Sequence, residues 1–397
     1  MPFDPVREAA ELRNQLSSDK RRLSFLFGAG TSLSVGIQGL EKLTESVYTD
    51  LEGKDAERYN SFRQESASAN LESILNRVRL CREILSSSKE AQVYDMNLVE
   101  AESLDRAICV SLRRHVGVDP PSGLGNHFVF AQWLKMINRS FPVEVFTTNY
   151  DLLFERGFES AETPYFDGFV GSVSPFFLPA SVDGDFGGLP LPTVPKHWIR
   201  LWKLHGSIGW VLIKDQLTGL NRIVRRAEVR GTSEDELMVY PSRQKYSESR
   251  RLPFMTYQDR FRRLLASGET LLITSGYSFS DEHINEIMFQ ALRSNPRLAV
   301  TALIFDRIES PVVEQNVLKP TRGITNLTVY GPDGAVVGGV QDKWSEPSQT
   351  PPFGEWPFWN HTERTFRLGD FRSFVEFLRT FLGSRAIQLP AEVAPDA

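Results

Sequence analysis

The sequence predicts an α/β protein: a Rossmann-like parallel sheet with helices on both faces and a large helical insertion after the first strand. Compact apolar runs of strand length, at residues 23–27, 270–274 and 298–305, alternate with segments of helical period, the order of parallel strands joined by crossover helices. These runs are apolar at consecutive positions, as strands covered on both faces are. Each also ends in small or polar residues, at the carboxyl edge where open α/β sheets bind their ligands.

Along the chain, residues 8–20 read as a short helix leading into the strand at 23–27, which Gly28-Ala29-Gly30 ends. From about 39 to 139 glycines are few and apolar residues recur at three- and four-residue intervals, as at Leu71, Ile74, Leu75 and Val78, so several helices are expected there. Residues 141–146 form a second strand, closed by Thr147-Thr148-Asn149-Tyr150-Asp151, and a helix starts at Leu152. Residues 164–195 are rich in Gly, Pro and Phe and read as irregular. Strands follow at 198–202 and 210–213, separated by Lys203-Leu204-His205-Gly206-Ser207. A polar excursion over 215–251 precedes an amphipathic helix at 253–266. After the strand at 270–274, Asp281 takes a capping position on a helix to Arg293. Strands at 298–305 and 327–330, a proline-rich loop over 331–358 and a closing helix at 371–381 complete the chain, and a disordered Ala/Pro tail is expected. The organisation expected is an N-terminal helix (1–20), a binding domain (21–310, with its insertion at about 39–139) and a C-terminal extension (311–397).

With 397 residues, 41% hydrophobic and 24% charged, the chain has the composition of a globular protein with a sizeable core. Its net charge of -5 gives no general pull on polyanions. The basic stretch Arg222, Arg225, Arg226, Arg230, Arg243, Lys245, Arg250 and Arg251 is interleaved with Glu228, Glu234, Asp235 and Glu236, the pattern of a solvated loop. Direct nucleic-acid binding by the isolated chain is therefore not expected. Two cysteines, Cys81 and Cys109, exclude a disulfide framework and a four-thiolate zinc site. Residues 1–20 are charged, without the apolar run of a signal peptide, and no run is long enough to span a bilayer. A cytoplasmic protein is expected.

The chemistry sits at the strand ends. Gly28-Ala29-Gly30-Thr31-Ser32 reads as a cradle of backbone N–H groups for a diphosphate or simply as a tight turn; Leu33 stands where the dinucleotide fingerprint has its third glycine. Asn149 offers donor and acceptor for a ribose hydroxyl or a water, and Asp151 reads as a site residue or a helix cap. His205, before a glycine, is placed to present an imidazole that titrates near neutrality, or else is a core histidine. Gly276-Tyr277-Ser278 forms a second small-residue turn, and Asp306 ends an apolar run as a candidate partner for an adenosine ribose.

In this order the motifs resemble the sirtuin superfamily, and more closely its divergent bacterial branch, the sirtuin-like NAD hydrolases of antiphage defence, over residues 21–306. Gly28-Ala29-Gly30-Thr31-Ser32 resembles the family's first phosphate turn, and Thr147-Thr148-Asn149-Tyr150-Asp151 stands where sirtuins hold the nicotinamide ribose. Lys203-Leu204-His205-Gly206-Ser207 resembles the motif of the catalytic histidine, Gly276-Tyr277-Ser278-Phe279 resembles the later Gly-Thr-Ser turn, and Asn70-Leu71-Glu72 resembles a helix start of the defence branch.

The resemblance implies NAD as substrate, with Asn149, His205 and Asp151 as catalytic residues. Gly28, Ala29, Gly30, Thr31, Ser32, Thr148, Gly276, Tyr277, Ser278 and Asp306 would bind it. The four zinc cysteines of protein-deacylating sirtuins are missing after His205, so no zinc is expected. Val35-Gly36-Ile37-Gln38-Gly39-Leu40 replaces the family's Pro-Asp-Phe-Arg element. Transfer of the ribosyl group to water, giving nicotinamide and ADP-ribose, is thus expected before protein deacylation or NAD-binding regulation without turnover; nuclease action ranks lowest. The branch further implies a large homo-oligomer and a partner, foremost a HerA-type ATPase, otherwise a short Argonaute-like protein or a phage component. The Trp- and Pro-rich stretch 344–359 is a candidate contact.

Overall fold

The computed structural model describes residues 2–66, 69–86, 92–120, 122–183, 185–186, 189–190, 194–214, 219, 221–226, 236–239, 248–350 and 356–382. Of the basic stretch, Arg230, Arg243 and Lys245 lie outside the described residues, as do Glu228, Glu234, Asp235, the side chains of Glu236, Arg250 and Arg251, and the tail from 383.

Helix α1 (Pro5–Ser17) opens with Asp4, whose side chain accepts from the Val6 N–H at 3.0 Å, and leads into β1 (Arg22–Phe27). After the single turn α2 (Gly30–Leu33) come α3 (Leu40–Asp50), α4 (Gly53–Gln64), α5 (Leu71–Ser86), α6 (Leu98–Val116) and α7 (Gly125–Met136). Asn97 and Glu100 close a capping box on α6. Strand β2 (Glu144–Thr147) begins later than the apolar run because Pro142 has no N–H for a ladder. Helix α8 (Leu153–Ser160) is followed by the two-residue strands β3 (Tyr165–Phe166), β4 (Phe169–Val170) and β5 (Phe176–Phe177) and the short α9 (Pro179–Asp183). A small hairpin, β6 (Asp185–Phe186) with β7 (Leu189–Pro190), precedes β8 (Ile199–Lys203), β9 (Gly206–Lys214), β10 (Asn221–Arg225) and β11 (Glu236–Val239). Then come α10 (Glu248–Ala266), β12 (Thr270–Ser275), α11 (Glu282–Ser294), β13 (Leu298–Leu303), α12 (Pro311–Val313) and β14 (Leu327–Tyr330). A hairpin, β15 (Gly334–Val337) with β16 (Val340–Lys343), and α13 (Phe371–Arg379) follow.

The central sheet has nine strands in the order β16-β15-β14-β13-β12-β1-β2-β8-β3. Every pairing from β14 to β3 is parallel, while β15 and β16 extend the edge antiparallel. That hairpin lies where the sequence reads as loop. Its turn is Gly338-Gly339, both with positive φ (60° and 81°), the conformation a two-residue hairpin demands.

Alternate β1 residues serve different layers. Phe25 and Phe27 pack with Phe130 of α7, Phe154 of α8 and Phe371 of α13, Phe27 stacking on Phe154 at 4.8 Å. Leu26 joins the opposite core with residues of α10 and α11. Of the helical stretch after β1, α3 to α6 build a cluster of their own, joined by Ile208, whereas α7 belongs to the sheet's cover. A second, five-stranded sheet (β11-β9-β10-β5-β4) is cored by aromatics. Trp210 lies 5.2 Å from Phe169 and 5.7 Å from Tyr257, whose hydroxyl donates to the Asp167 carbonyl at 2.7 Å. The short strands of the segment that reads as irregular supply β4 and β5 to this sheet.

His127 of α7 is wholly buried against Phe154 (4.8 Å) and Phe371 (5.2 Å), and neither ring nitrogen has a partner among the described residues. Burial pushes its pKa down to about 4 from 6.5, against the pull of Asp151. Between those values the unfolded chain binds the proton and the folded chain does not, so stability falls as pH falls through this window. The full effect is about 3 kcal/mol. We predict that His127→Phe flattens the denaturant-midpoint profile between pH 6.5 and 4; an unchanged slope would refute the assignment.

Candidate active site

The carboxyl ends of β1, β2, β8 and β12 converge. At the centre, two turns touch through their backbones. The Gly30 N–H donates to the Gly276 carbonyl at 2.9 Å and the Gly28 N–H to the Ser275 carbonyl at 3.3 Å. A Cβ on Gly30 would stand 2.5 Å from the Gly276 Cα, and one on Gly28 would stand 2.6 Å from the Gly276 oxygen. Gly276 itself has φ 62°, the left-handed region open to glycine.

Asn149 locks the first turn from the β2 side. Its Nδ2 donates to the Gly28 carbonyl (3.1 Å), Thr31 Oγ1 (2.9 Å) and Ser32 Oγ (2.9 Å). A carbonyl only accepts, so the amide orientation is set, and no described residue donates to Oδ1. Asp151 does two jobs: Oδ1 accepts from the Leu153 N–H at 3.0 Å at the start of α8, and Oδ2 accepts from Ser32 Oγ at 2.5 Å. Buried Lys203 donates to the Asp151 carbonyl and pairs with Glu155 at 2.9 Å, tying β8 to the same loop.

His205 lies between β8 and β9, where Gly206 (φ 86°) turns the chain into the second sheet. Its segment hangs on the end of β2: the Leu204 N–H donates to the Thr147 carbonyl (2.8 Å) and the Ile208 N–H to the Tyr150 carbonyl (2.9 Å). The imidazole Nε2 lies 2.6 Å from Asp281 Oδ2. Burial alone would lower the His205 pKa, but the hydrogen bond to Asp281 and the charges of Glu72 and Asp281 outweigh it and hold it above the ordinary value. Glu72 arrives from α5 and accepts from the Tyr150 hydroxyl.

Asn149, Asp151 and His205 line one cavity of about 840 Å³, together with Gly28, Ala29, Ser32, Thr148, Tyr277 and Ser278, a size suited to a small-molecule ligand. The Ala29 N–H donates to no described residue. Gly30, Thr31 and Gly276 do not line the cavity; they form the contact beneath it. Asp306 stands exposed past β13, away from the lining. Sequence reasoning did not find Asp281 as the histidine's partner, nor Arg77, Gln258, Glu282 and His283 in the wall. For Asp281 the helix-capping position was the available signal, since a cap at this edge of the sheet faces the cavity.

Residues 143–321 match the SIR2-like domain family. The matched segment begins at β2 and takes in Asn149, His205 and the second glycine turn; the first turn and the α3–α6 cluster precede it. No curated protein matches the chain. Among solved structures, a Sir2 homologue mutant in complex with ADP-ribose is 12% identical, with 95% of this chain and 99% of that chain covered and a TM-score of 0.37. A Sir2 homologue–NAD complex is 15% identical, with 81% and 87% covered and a TM-score of 0.36.

The contact between the turns gives a direct expectation. Gly276→Ala places a Cβ 2.7 Å from the Thr31 nitrogen on a left-handed backbone, so a loss of about 1–3 kcal/mol is expected in thermal or denaturant unfolding. Gly219→Ala is also left-handed, but its Cβ meets nothing within 4 Å. The difference between the two variants isolates the contact; equal losses would exclude it.

Proposed function

We propose that the SIR2-like domain binds NAD in this cavity and hydrolyses its nicotinamide–ribose bond, giving nicotinamide and ADP-ribose. The observation that carries the reading is the meeting of the Asn149 amide and the His205 imidazole on one cavity above paired glycine turns, in a chain with a SIR2-like domain. The Ala29 N–H and the small residues of both turns suit the diphosphate. Anchoring the remote half of a substrate is how binding energy reaches the reacting centre.

The departing nicotinamide takes the electron pair of the broken bond and leaves neutral, so departure needs no general acid. Positive charge builds on the ribose instead, as in glycoside cleavage. Asp151, Asp281, Glu72 and Glu282 place carboxylates around the cavity to meet it. Asn149 Oδ1 accepts from a ribose hydroxyl or the attacking water. As the new oxygen–carbon bond forms, His205 takes the water's proton, a role worth roughly 10²–10⁴-fold. Water is favoured as acceptor because residues 215–253 hold no cysteine for the zinc module of deacylases; the second sheet has an aromatic core instead.

From its resemblance to the defence branch, we further propose a cytoplasmic NAD-depleting effector of antiphage defence, a homo-oligomer working with a HerA-type ATPase. No described helix is long and apolar enough to cross a membrane.

The test is NAD consumption by the purified chain, with and without such a partner, resolving nicotinamide, ADP-ribose and acyl-peptide turnover. Asn149→Ala or His205→Ala should cut nicotinamide release by roughly 10²-fold or more; wild-type rates in either would remove that residue from the mechanism. Acyl-peptide turnover matching nicotinamide release would replace hydrolysis with deacylation, and binding without products would leave a regulatory subunit. The base must be neutral, and Asp281 and Glu72 hold His205 protonated to a higher pH than an ordinary histidine. The rate should therefore rise with pH through an inflection above 6.5, and a pH-independent rate would exclude the imidazole as base.

A further inference from the structure

We propose that Asp281 is a positioning residue, which uses one carboxylate oxygen to fix the ring of His205 and the other to cap α11, so that the second glycine turn and the base are held as one unit. The base role rests on the NAD-cleaving reading; the coupling of the two side chains does not.

The geometry divides the carboxylate cleanly. Oδ1 accepts from the N–H groups of His283 (2.9 Å) and Ile284 (3.0 Å), the cap of a thirteen-residue helix. Oδ2 faces His205 Nε2 at 2.6 Å. An ionised carboxylate only accepts, so the proton of the neutral ring sits on Nε2, and the acceptor nitrogen is Nδ1. A base oriented by a buried carboxylate follows the logic of acid–histidine pairs in hydrolases.

The loop bearing Asp281 is held hard. Phe279 takes a left-handed backbone (φ 55°) though it is not glycine, and is buried. Asn285, one turn into α11, donates to the Phe279 carbonyl at 2.7 Å and accepts from the Tyr277 hydroxyl at 2.9 Å. Tyr277 follows directly on Gly276 and lines the cavity. Strain of this kind persists only where the surroundings over-determine it, and it clusters at functional sites. A chain of contacts therefore runs from the glycine turn through Tyr277, Asn285 and Phe279 to Asp281 and the imidazole. The other charged groups on the same cavity are Glu72 and Arg77 from α5, Asp151 from the end of β2, and Glu282 and His283 from the start of α11.

Two substitutions separate the jobs. Asn and Ser are both good N-caps, so Asp281→Asn and Asp281→Ser keep α11. Asn presents a donor to Nε2 and reverses the tautomer; Ser is too short to keep the contact. The readout is nitrogen NMR of histidine-labelled full-length chain, with the His205 signal assigned from His205→Ala. Wild-type protein should show the proton on Nε2. Asp281→Asn should move it to Nδ1, and both variants should titrate at lower pH than wild type, with melting temperature unchanged at pH values above the wild-type titration, where the ring is neutral in all three. In the NAD assay, kcat should fall within the roughly 10²–10⁴-fold that a general base supplies, with KM near the wild-type value. An unchanged tautomer and titration in both variants would overturn the proposal, as would lost thermal stability with His205 unaltered, which would leave Asp281 a cap alone. Absence of nicotinamide release from wild-type chain would sink NAD cleavage while the NMR result still decides the coupling.

Discussion

Gly30 and Gly276 approach so closely that neither has room for a Cβ. The contact joins the ends of β1 and β12, adjacent parallel strands in register from Arg22 with Thr270 to Phe27 with Ser275. Because the strands end together, their turns must either splay or interlock. Two glycines let them interlock through backbone hydrogen bonds, giving a floor of main chain beneath the cavity. Asn149 then has fixed acceptors beneath it, and Tyr277 is delivered to the wall. Most of the site hangs from this contact.

Two hydrogen-bond networks rise from that floor and meet at the cavity. One ties Asn149 and Asp151 to the first turn through Thr31 and Ser32. The other ties His205 to Asp281 and, through the cap, to α11. Buried polar groups are costly unless satisfied, so each network holds its members in place and leaves few orientations to Asn149 Oδ1 and the imidazole. Glu72 enters from a different quarter. The α3–α6 cluster has its own core, yet it sends this carboxylate to Tyr150 and within electrostatic reach of His205. An insertion with its own core therefore contributes to the charge of the site.

Much of this was legible along the chain. The parallel sheet followed from apolar runs ending in small residues, and Asn149 and His205 stood out because each follows a strand at the sheet's carboxyl edge, where open α/β sheets bind their ligands. The hairpin at 334–343 is hard to read along the chain because β16 is largely exposed and polar and β15, though apolar, is only four residues long and opens on Gly334. Asp306 ended an apolar run as the others did, yet lies exposed off the cavity; a strand end alone does not say which way its side chain faces. Gly30, Thr31 and Gly276 read as ligand-facing residues, whereas they form the packing below the cavity wall.

By itself the sequence determined the parallel strands of the central sheet from β1 to β14, the turns that end them and the residue types offered there, because period and punctuation are local properties of a chain; the short strands β3 to β5 and the edge hairpin it did not. The pairing of His205 with Asp281, 76 residues apart, the interlock of glycine turns and the arrival of Glu72 were decided only by the tertiary structure. The physical reason is strand order: which ends become neighbours depends on how β12, β1, β2 and β8 line up side by side, and burial of both sheet faces settles that for the whole chain at once.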